Sequence, residues 1–250
     1  MSGPRILAID TASEQVSVAV GDSSRIEASF HVSSERRHVE ALVPAIKGLL
    51  DNLGVSVHDL SAVAVDVGPG LFTGMRVGLA TARMLAGLAE IPIVGVDSLI
   101  IVTHGALAAV PTDVDAVDLV VPVLDARRGQ VYWSMFRNNF SDVTPFEEVR
   151  PPRVGDVPEL VEDLMDRGQR ALVVGTGARR YAEELRACPD TVQVGDNSNP
   201  ARAVLDPHVP NAAILVALAA ERLESGTAGG AEPMYLRPPD AEIKIGRAHV

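Results

Sequence analysis

Short apolar runs, each ended by a polar residue or a glycine, dominate the first part of the chain. Runs such as ILAID and VSVAV are rich in β-branched residues, which is typical of buried strands. Two longer stretches repeat apolar residues every three or four positions, which predicts amphipathic helices. The predicted elements are strands at residues 6–10, 16–21, 25–32, 62–67 and 93–96 and helices at residues 37–53 and 74–90.

A similar order of elements recurs after residue 118. LVVPVLD ends at Asp125 as ILAID ends at Asp10, and five residues then separate each aspartate from the next strand. Further on, AVAVDVGPG and ALVVGTGAR are both apolar strands that end in a Gly-x-Gly turn and open a helix. Any α/β protein can yield such pairs by chance, but the equal offsets favour an internal duplication with two similar lobes.

Two α/β lobes that each begin with an aspartate-ended hairpin predict the actin-like ATPase (ASKHA, ribonuclease-H-like) fold. The first lobe is expected at residues 1–105 and a smaller second lobe at residues 106–209, with AVPTDVD as a hinge. A last helix at residues 210–224 is expected to pack back on the first lobe, and residues 240–250 are expected to form a flexible tail. The fold alone does not establish a function.

The stretch VDVGPGLFTGMRVG links a predicted strand to a helix and is a candidate phosphate loop. It matches neither the P-loop, which needs a lysine after its last glycine, nor the dinucleotide pattern, and Pro69 removes one N–H donor. In actin-like ATPases the two hairpin turns hold the nucleotide phosphates and magnesium. Here the first turn has no glycine, and the second has one only after two arginines. The candidates for a nucleotide contact are Asp10, Thr11, Gly70 and Asp125, and we expect no resident cofactor.

Composition narrows the class of protein. The 250 residues are 47% hydrophobic, enough for a core, and the net charge of −11 disfavours independent binding to nucleic acid. The single cysteine, Cys188, excludes an internal disulfide and fits a reducing compartment. The sequence shows neither a signal peptide nor an apolar stretch long enough to span a bilayer, so we expect a cytoplasmic protein.

The helix predicted after Pro69 is apolar on two sides, over an arc of about 220°, which is more than one sheet contact requires. One side carries Val77, Met84 and Leu88, and the other carries Met75, Leu79, Ala82 and Ala86. A row of small residues, four apart, would let another backbone approach closely; it comprises Gly74, Gly78, Ala82 and Ala86. Two interpretations stay open: the preceding helix covers the second side within the chain, or the two helices form a surface for a partner.

Motifs in order along most of the chain resemble the TsaB (YeaZ) family. They are ILAIDTASEQVSVAV, RRHVEALVPAIKGLL, DVGPGLFTGMRVGLATARMLAG, IPIVGVDSL, LDARRGQVYW and EPMYLR. The resemblance implies a non-catalytic scaffold subunit in bacterial synthesis of threonylcarbamoyladenosine, the modified base beside the tRNA anticodon. It implies a heterodimer with the related enzyme TsaD through a four-helix bundle, joined by the ATPase TsaE, with tRNA bound only by the complex. Whether the chain alone forms a homodimer stays open.

The residue pattern and this resemblance together place the partner interface on the two helices of the first lobe. The candidate interface residues are His38, Leu42, Ala45, Leu49, Met75, Gly78, Leu79, Ala82, Leu85 and Ala86.

The resemblance also bears on catalysis, because TsaD carries a His-x-x-x-His metal pair. The corresponding region here reads GVDSLIIVTHGALAA, in which Ser98 and Val102 align with the pair and His104 is the only histidine. One helical histidine is a poor metal site, so we expect neither a metal nor a catalytic residue. Two enzyme alternatives are kept: a stand-alone actin-fold ATPase or small-molecule kinase, and a metallopeptidase.

Overall fold

The structure is a computed structural model that describes residues 3–33, 38–109, 117–138, 146–193 and 206–237. The elements of its first half are β1 (Ile6–Asp10), β2 (Gln15–Gly21), β3 (Ile26–Ser33), α1 (His38–Leu53), β4 (Ala62–Asp66), α2 (Phe72–Ala89), β5 (Ile93–Val96) and α3 (Ser98–Ala109). Those of its second half are β6 (Leu119–Arg127), β7 (Gln130–Asn138), β8 (Phe146–Asp156), α4 (Val157–Arg167), β9 (Ala171–Val174), α5 (Thr176–Arg180), α6 (Ala182–Leu185), β10 (Thr191–Gln193) and α7 (Ala212–Glu224).

Two five-stranded sheets share one topology. Their strand orders are β3-β2-β1-β4-β5 and β10-β9-β6-β7-β8. In the first sheet β1, β2 and β3 form an antiparallel meander, and β4 and β5 join β1 in parallel. In the second sheet β6, β7 and β8 form the meander, and β9 and β10 join β6 in parallel. This equivalence confirms the predicted actin-like fold with two similar lobes.

Apolar side chains cover both faces of the first sheet. The central strands β1 and β4 are buried along their whole length, as expected for strands covered on two sides. On one face Leu7, Ile9 and Val63 belong to a cluster with the inward side chains of α1 and α2. On the other face Ile6 and Ala8 belong to a cluster with α7. The last helix of the described chain therefore packs on the first lobe.

A further apolar cluster joins the two lobes. Leu99 and Val102 of α3 pack with Val120 and Leu124 of β6, so this part of the junction is apolar. The predicted hinge falls mostly on residues 110–115, and the predicted tail at residues 240–250; both lie outside the described residues. No helix in the described part of the chain is long and apolar enough to cross a membrane.

Candidate functional site: the first-lobe helices and the cleft

The turn that follows β1 is packed against the glycine loop that precedes α2. The Leu71 N–H donates a hydrogen bond to the Ala12 carbonyl at 2.7 Å. A Cβ on Gly70 would lie only 2.2 Å from the same oxygen, so glycine is required for this approach. Asp10 and Thr11 are 0% and 1% exposed. Two predicted nucleotide contacts, Asp10 and Thr11, therefore have their side chains in an internal junction, whereas the third, Gly70, also lines the cleft between the lobes.

Three buried aspartates stand at the carboxyl ends of adjacent parallel strands: Asp10 ends β1, Asp66 ends β4 and Asp97 follows β5. Oδ1 of Asp66 accepts hydrogen bonds from Ser98 Oγ at 2.6 Å and from the Gly68 N–H at 2.8 Å. Oδ2 of Asp10 and Oδ2 of Asp66 are buried and meet no donor among the described residues. The two carboxyls are close enough for the charge of Asp66 to act on Asp10.

Burial governs the protonation of this row. It raises the pKa of Asp97 to about 7 and the pKa of Asp66 to about 6, although the hydrogen bond from Ser98 acts against the shift of Asp66. Burial, and then the charge of Asp66, raises the pKa of Asp10 well above its ordinary value. Within the described ranges, no three His, Cys, Asp or Glu side chains are grouped so that they could hold a metal ion. Burial therefore favours the protonated form of each carboxyl in this row.

A cleft of about 640 Å³ separates the lobes, with Ala12, Gly70 and Ser98 on one side and Asp125 and Thr176 on the other. Three ion pairs cross or line it, each at 2.9 Å. They are Arg127–Glu14, Arg179–Asp206 and Arg180–Asp125. Asp125, the fourth predicted nucleotide contact, thus already accepts from an arginine. Because each of these cations is matched by a carboxylate, they give the cleft no net positive charge to attract a polyphosphate.

Most of the predicted interface residues are buried, so a partner would contact a different face of α1 and α2. Nine of the ten predicted interface residues lie on the inward faces of α1 and α2 and are buried within the chain. They are Leu42, Ala45, Leu49, Met75, Gly78, Leu79, Ala82, Leu85 and Ala86. Most belong to the cluster that covers the first sheet. The tenth, His38, begins α1, and its side chain lies outside the described residues. The best-packed stripe of each helix therefore serves the chain's own core.

The row of small residues on α2 admits the chain's own turn. Thr11 Oγ1 donates to the Gly74 carbonyl at 2.8 Å, which brings the β1 turn against the helix. A Cβ on Gly78 would lie 2.3 Å from the same hydroxyl oxygen. The close approach at Gly74 and Gly78 is thus made within the chain, which favours the interpretation that this end of the row serves the chain's own core.

The outward faces of α1 and α2 carry exposed apolar side chains. Val43, Met84 and Leu88 are 56%, 60% and 61% exposed. On the same outward faces Gly48 and Gly87 have open space where a Cβ would stand. A glycine inside a helix costs about 0.5–1 kcal/mol relative to alanine, and nothing within the described residues requires these two. We call these five residues the outer patch.

The exposed apolar side chains are not spread evenly. Seven large ones are exposed in the described ranges, and six of them belong to β3, α1, α2 or the segment after α7. The seventh, Met165, lies on α4 of the second lobe. An apolar groove of about 1040 Å³ between β3 and α1 adjoins the outer patch at Gly48 and is lined by Phe30 and Pro44. Such a concentration on one side of a molecule is typical of a protein-binding surface.

Some of these features can be predicted from sequence patterns, and others cannot. Asp66 and Asp97 follow AVAV and IVGV just as Asp10 follows ILAI, so the same pattern marks all three. Gly48 and Gly87 could have been noted as glycines inside predicted helices. His104 was noted as a lone histidine; burial lowers its pKa to about 4, so it is neutral, and its ring packs 5.1 Å from that of Phe146.

Comparison with known proteins relates the chain to tRNA modification. A family model described as "TsaD: tRNA N6-adenosine threonylcarbamoyltransferase" matches residues 32–167. The tRNA threonylcarbamoyladenosine biosynthesis protein TsaB of Escherichia coli (strain K12) is 32% identical over 237 residues, which cover 93% of this chain and 94% of that protein. TsaB of Bacillus subtilis (strain 168) is 30% identical over 240 residues, with 96% of each chain covered.

Solved structures give the same relationship. YeaZ from Pseudomonas aeruginosa superposes with a TM-score of 0.71 at 26% identity, over 94% of this chain and 100% of that chain. A protein described as having similarity to peptidase YEAZ from Pseudomonas aeruginosa gives a TM-score of 0.72 at 27% identity, over 95% and 100% of the two chains. With both lobes matched in structure, and sequence identity of 32% along nearly the whole of a curated relative, the chain belongs to the TsaB (YeaZ) family.

Proposed function

We propose that the chain is a non-catalytic scaffold subunit in tRNA threonylcarbamoyladenosine biosynthesis, and that its outer patch pairs with a TsaD protein. The names of its relatives support the pathway. The match to a TsaD family model makes the proposed partner a relative of the chain itself. We further propose that TsaE joins the pair and that tRNA meets only the assembled complex. The exposed apolar faces of α1 and α2 carry this proposal.

Burial of the outer patch would provide a useful part of the binding free energy. Fully burying a Val, Leu or Met side chain contributes about 1.5–3 kcal/mol. Val43, Met84 and Leu88 are each a little more than half exposed, so covering them contributes about 3–5 kcal/mol in total. Part of this offsets the free-energy cost of association, and the rest of the affinity must come from neighbouring contacts.

Two features support a role without catalysis. The turn after β1 packs against the glycine loop through the Ala12 carbonyl, and the Ala12 N–H already donates to Asp10 Oδ1. In each of the three ion pairs of the cleft, a carboxylate neutralises the arginine. These pairs therefore leave no unmatched positive charge for a phosphate group. In this proposal the transfer of the threonylcarbamoyl group takes place in the TsaD subunit.

The decisive experiment pairs the chain with the TsaD protein of its host and measures the dissociation constant by sedimentation. Met84→Asp should weaken pairing by about 100-fold or more, because the new carboxylate would be buried without a partner. Met165→Asp is the matched control, since Met165 is 51% exposed on the other lobe, and it should pair like the wild type. Equal effects of the two variants, or no effect of either, would contradict the proposal. Leu79 and Ala82 are unsuitable for this test, because both are buried and a charge there would unfold the chain.

The same experiment separates the alternatives. A homodimer through the outer patch would appear when the chain sediments alone, and Met84→Asp would dissociate it. Tight binding of ATP and magnesium by the isolated chain, measured by calorimetry, would favour the stand-alone ATPase or kinase instead. One structural relative is described by similarity to a peptidase, but the described residues give that activity no grouped metal ligands.

A further inference from the structure

Residues 231–237, which we call the strap, run along the first lobe after α7. The Met234 N–H donates to the Val67 carbonyl at 2.8 Å, just beyond β4. A Cβ on Gly95 would lie 3.0 Å from Ala231 Cα, so the first lobe has a glycine where the strap backbone passes. The strap is therefore seated on the lobe by a backbone hydrogen bond and by a close fit.

The middle of the strap reaches the first turn of α2. The Tyr235 ring lies 5.0 Å from the Phe72 ring, and its hydroxyl accepts a hydrogen bond from Arg76 Nε at 3.3 Å. The Arg76 guanidinium lies 3.8 Å from the centre of the Phe72 ring, a cation–π contact. Phe72 and Arg76 begin a row with a spacing of four that continues to Met84 and Leu88. Tyr235, 41% exposed, thus places an aromatic ring at the start of the helix whose later turns carry Met84 and Leu88.

The end of the strap is fixed to the other lobe. Arg237 Nη1 donates to the Ala126 carbonyl and to Gln130 Oε1, each at 3.1 Å. These acceptors flank the turn between β6 and β7. Arg127, in the same turn, forms the ion pair that crosses the cleft to Glu14. A displacement of this turn therefore acts on both the cleft and the strap.

We propose that the strap makes the partner-facing end of α2 depend on the position of the second lobe. The partner half of this inference rests on the proposed function. When the β6–β7 turn moves away from the first lobe, the two hydrogen bonds of Arg237 carry the strap with it. Tyr235 then leaves Phe72 and Arg76, and the exposed start of α2 loses this aromatic ring. The strap links the state of the cleft to the affinity for the partner.

Hydrogen exchange of the whole chain, measured without any partner, tests the mechanical half. Arg237→Met keeps the apolar stem of the side chain and removes both hydrogen bonds. We expect exchange to become about tenfold faster in the peptides that cover the strap and the first two turns of α2, with α4 unchanged. Arg186→Met is the matched control, because Arg186 is an exposed arginine of the second lobe that pairs with Glu183. It should leave both regions at wild-type rates.

Pairing with the TsaD protein tests the other half. Arg237→Met and Tyr235→Ala should each weaken pairing by about tenfold, whereas Tyr235→Phe, which keeps the ring, should weaken it less. Faster exchange confined to the β6–β7 turn, with wild-type rates in α2, would overturn the coupling. Wild-type chain that does not bind the TsaD protein would overturn the proposed function, and the exchange result would then still decide whether the lobes are coupled through the strap.

Discussion

Replacing Asp97 by asparagine removes a buried negative charge and changes little else. Oδ1 of Asp97 accepts a hydrogen bond from the Leu99 N–H at 2.6 Å and caps the start of α3. The asparagine side-chain oxygen can accept the same bond, so the cap is kept. The side chain is 8% exposed, and burial raises its pKa to about 7. The variant therefore isolates the free energy of holding this carboxylate in the folded chain.

The sign follows from proton binding. In the unfolded chain the Asp97 carboxyl ionises near its ordinary pKa of 3.8, and in the folded chain near 7. Between these values the folded state binds more protons than the unfolded state, so the wild type loses stability as the pH rises through this window. At about 1.4 kcal/mol for each pKa unit, the whole difference corresponds to about 4 kcal/mol. Arg222 stands near Asp97 and would lose a favourable charge, so we expect a net gain of about 2–4 kcal/mol above pH 7.

Urea unfolding of the wild type and Asp97→Asn at pH 4 and at pH 8 measures this difference. The variant should be more stable at pH 8 by the amount given above and nearly equal to the wild type at pH 4. Asp51→Asn is the control, since Asp51 is an exposed aspartate on α1, and it should change stability by less than about 0.5 kcal/mol at either pH. A variant that is less stable at pH 8, or equally shifted at both pH values, would refute the argument from burial.

Two further predictions concern glycines. Gly87→Ala should stabilise the isolated chain by about 0.5–1 kcal/mol in thermal unfolding and weaken pairing with the TsaD protein, because Gly87 has open space around it on the outer patch; a gain in both would show that the partner does not approach there. Gly70→Ala should destabilise the chain by about 2 kcal/mol or more in urea, since its Cβ would lie 2.2 Å from a carbonyl oxygen of the β1 turn. Gly229→Ala, with open space around it, is the control, and equal effects of the two would count against the close packing of that turn.

The two-lobe fold could be predicted because each lobe repeats one local signal. An apolar strand, an aspartate and a hairpin at a fixed offset mark both lobes, and the structure gives both sheets the same strand order. β8 and α4 are not among the elements predicted from the sequence. β8 contains Pro151 and Pro152 and lacks clean alternation, which an edge strand tolerates because it pairs only with β7. α4 was recognisable from its cap at Asp156 and from Gly168 at its end.

The two-sided character of α2 could also be predicted, but the side that faces the core could not. Both sides are apolar, so hydrophobicity does not choose between Met75 with Leu79 and Met84 with Leu88. Packing decides which side faces the core, because the side with Gly78 is the one that the Thr11 hydroxyl can approach. The contacts of the strap could not be predicted from the sequence. Tyr235 and Arg76 are 159 residues apart, and no local pattern indicates that they meet.

The turn after β1 is bonded to the start of α2 by the chain's own backbone. The peptide groups of Ala12 and Leu71 bond to each other, and Thr11 is held by the backbone of α2. Of these main-chain groups, the Leu71 N–H is a donor that an anion could otherwise meet. The lobe supplies its own acceptor for this N–H, so contacts within the chain hold the start of α2 against the β1 turn.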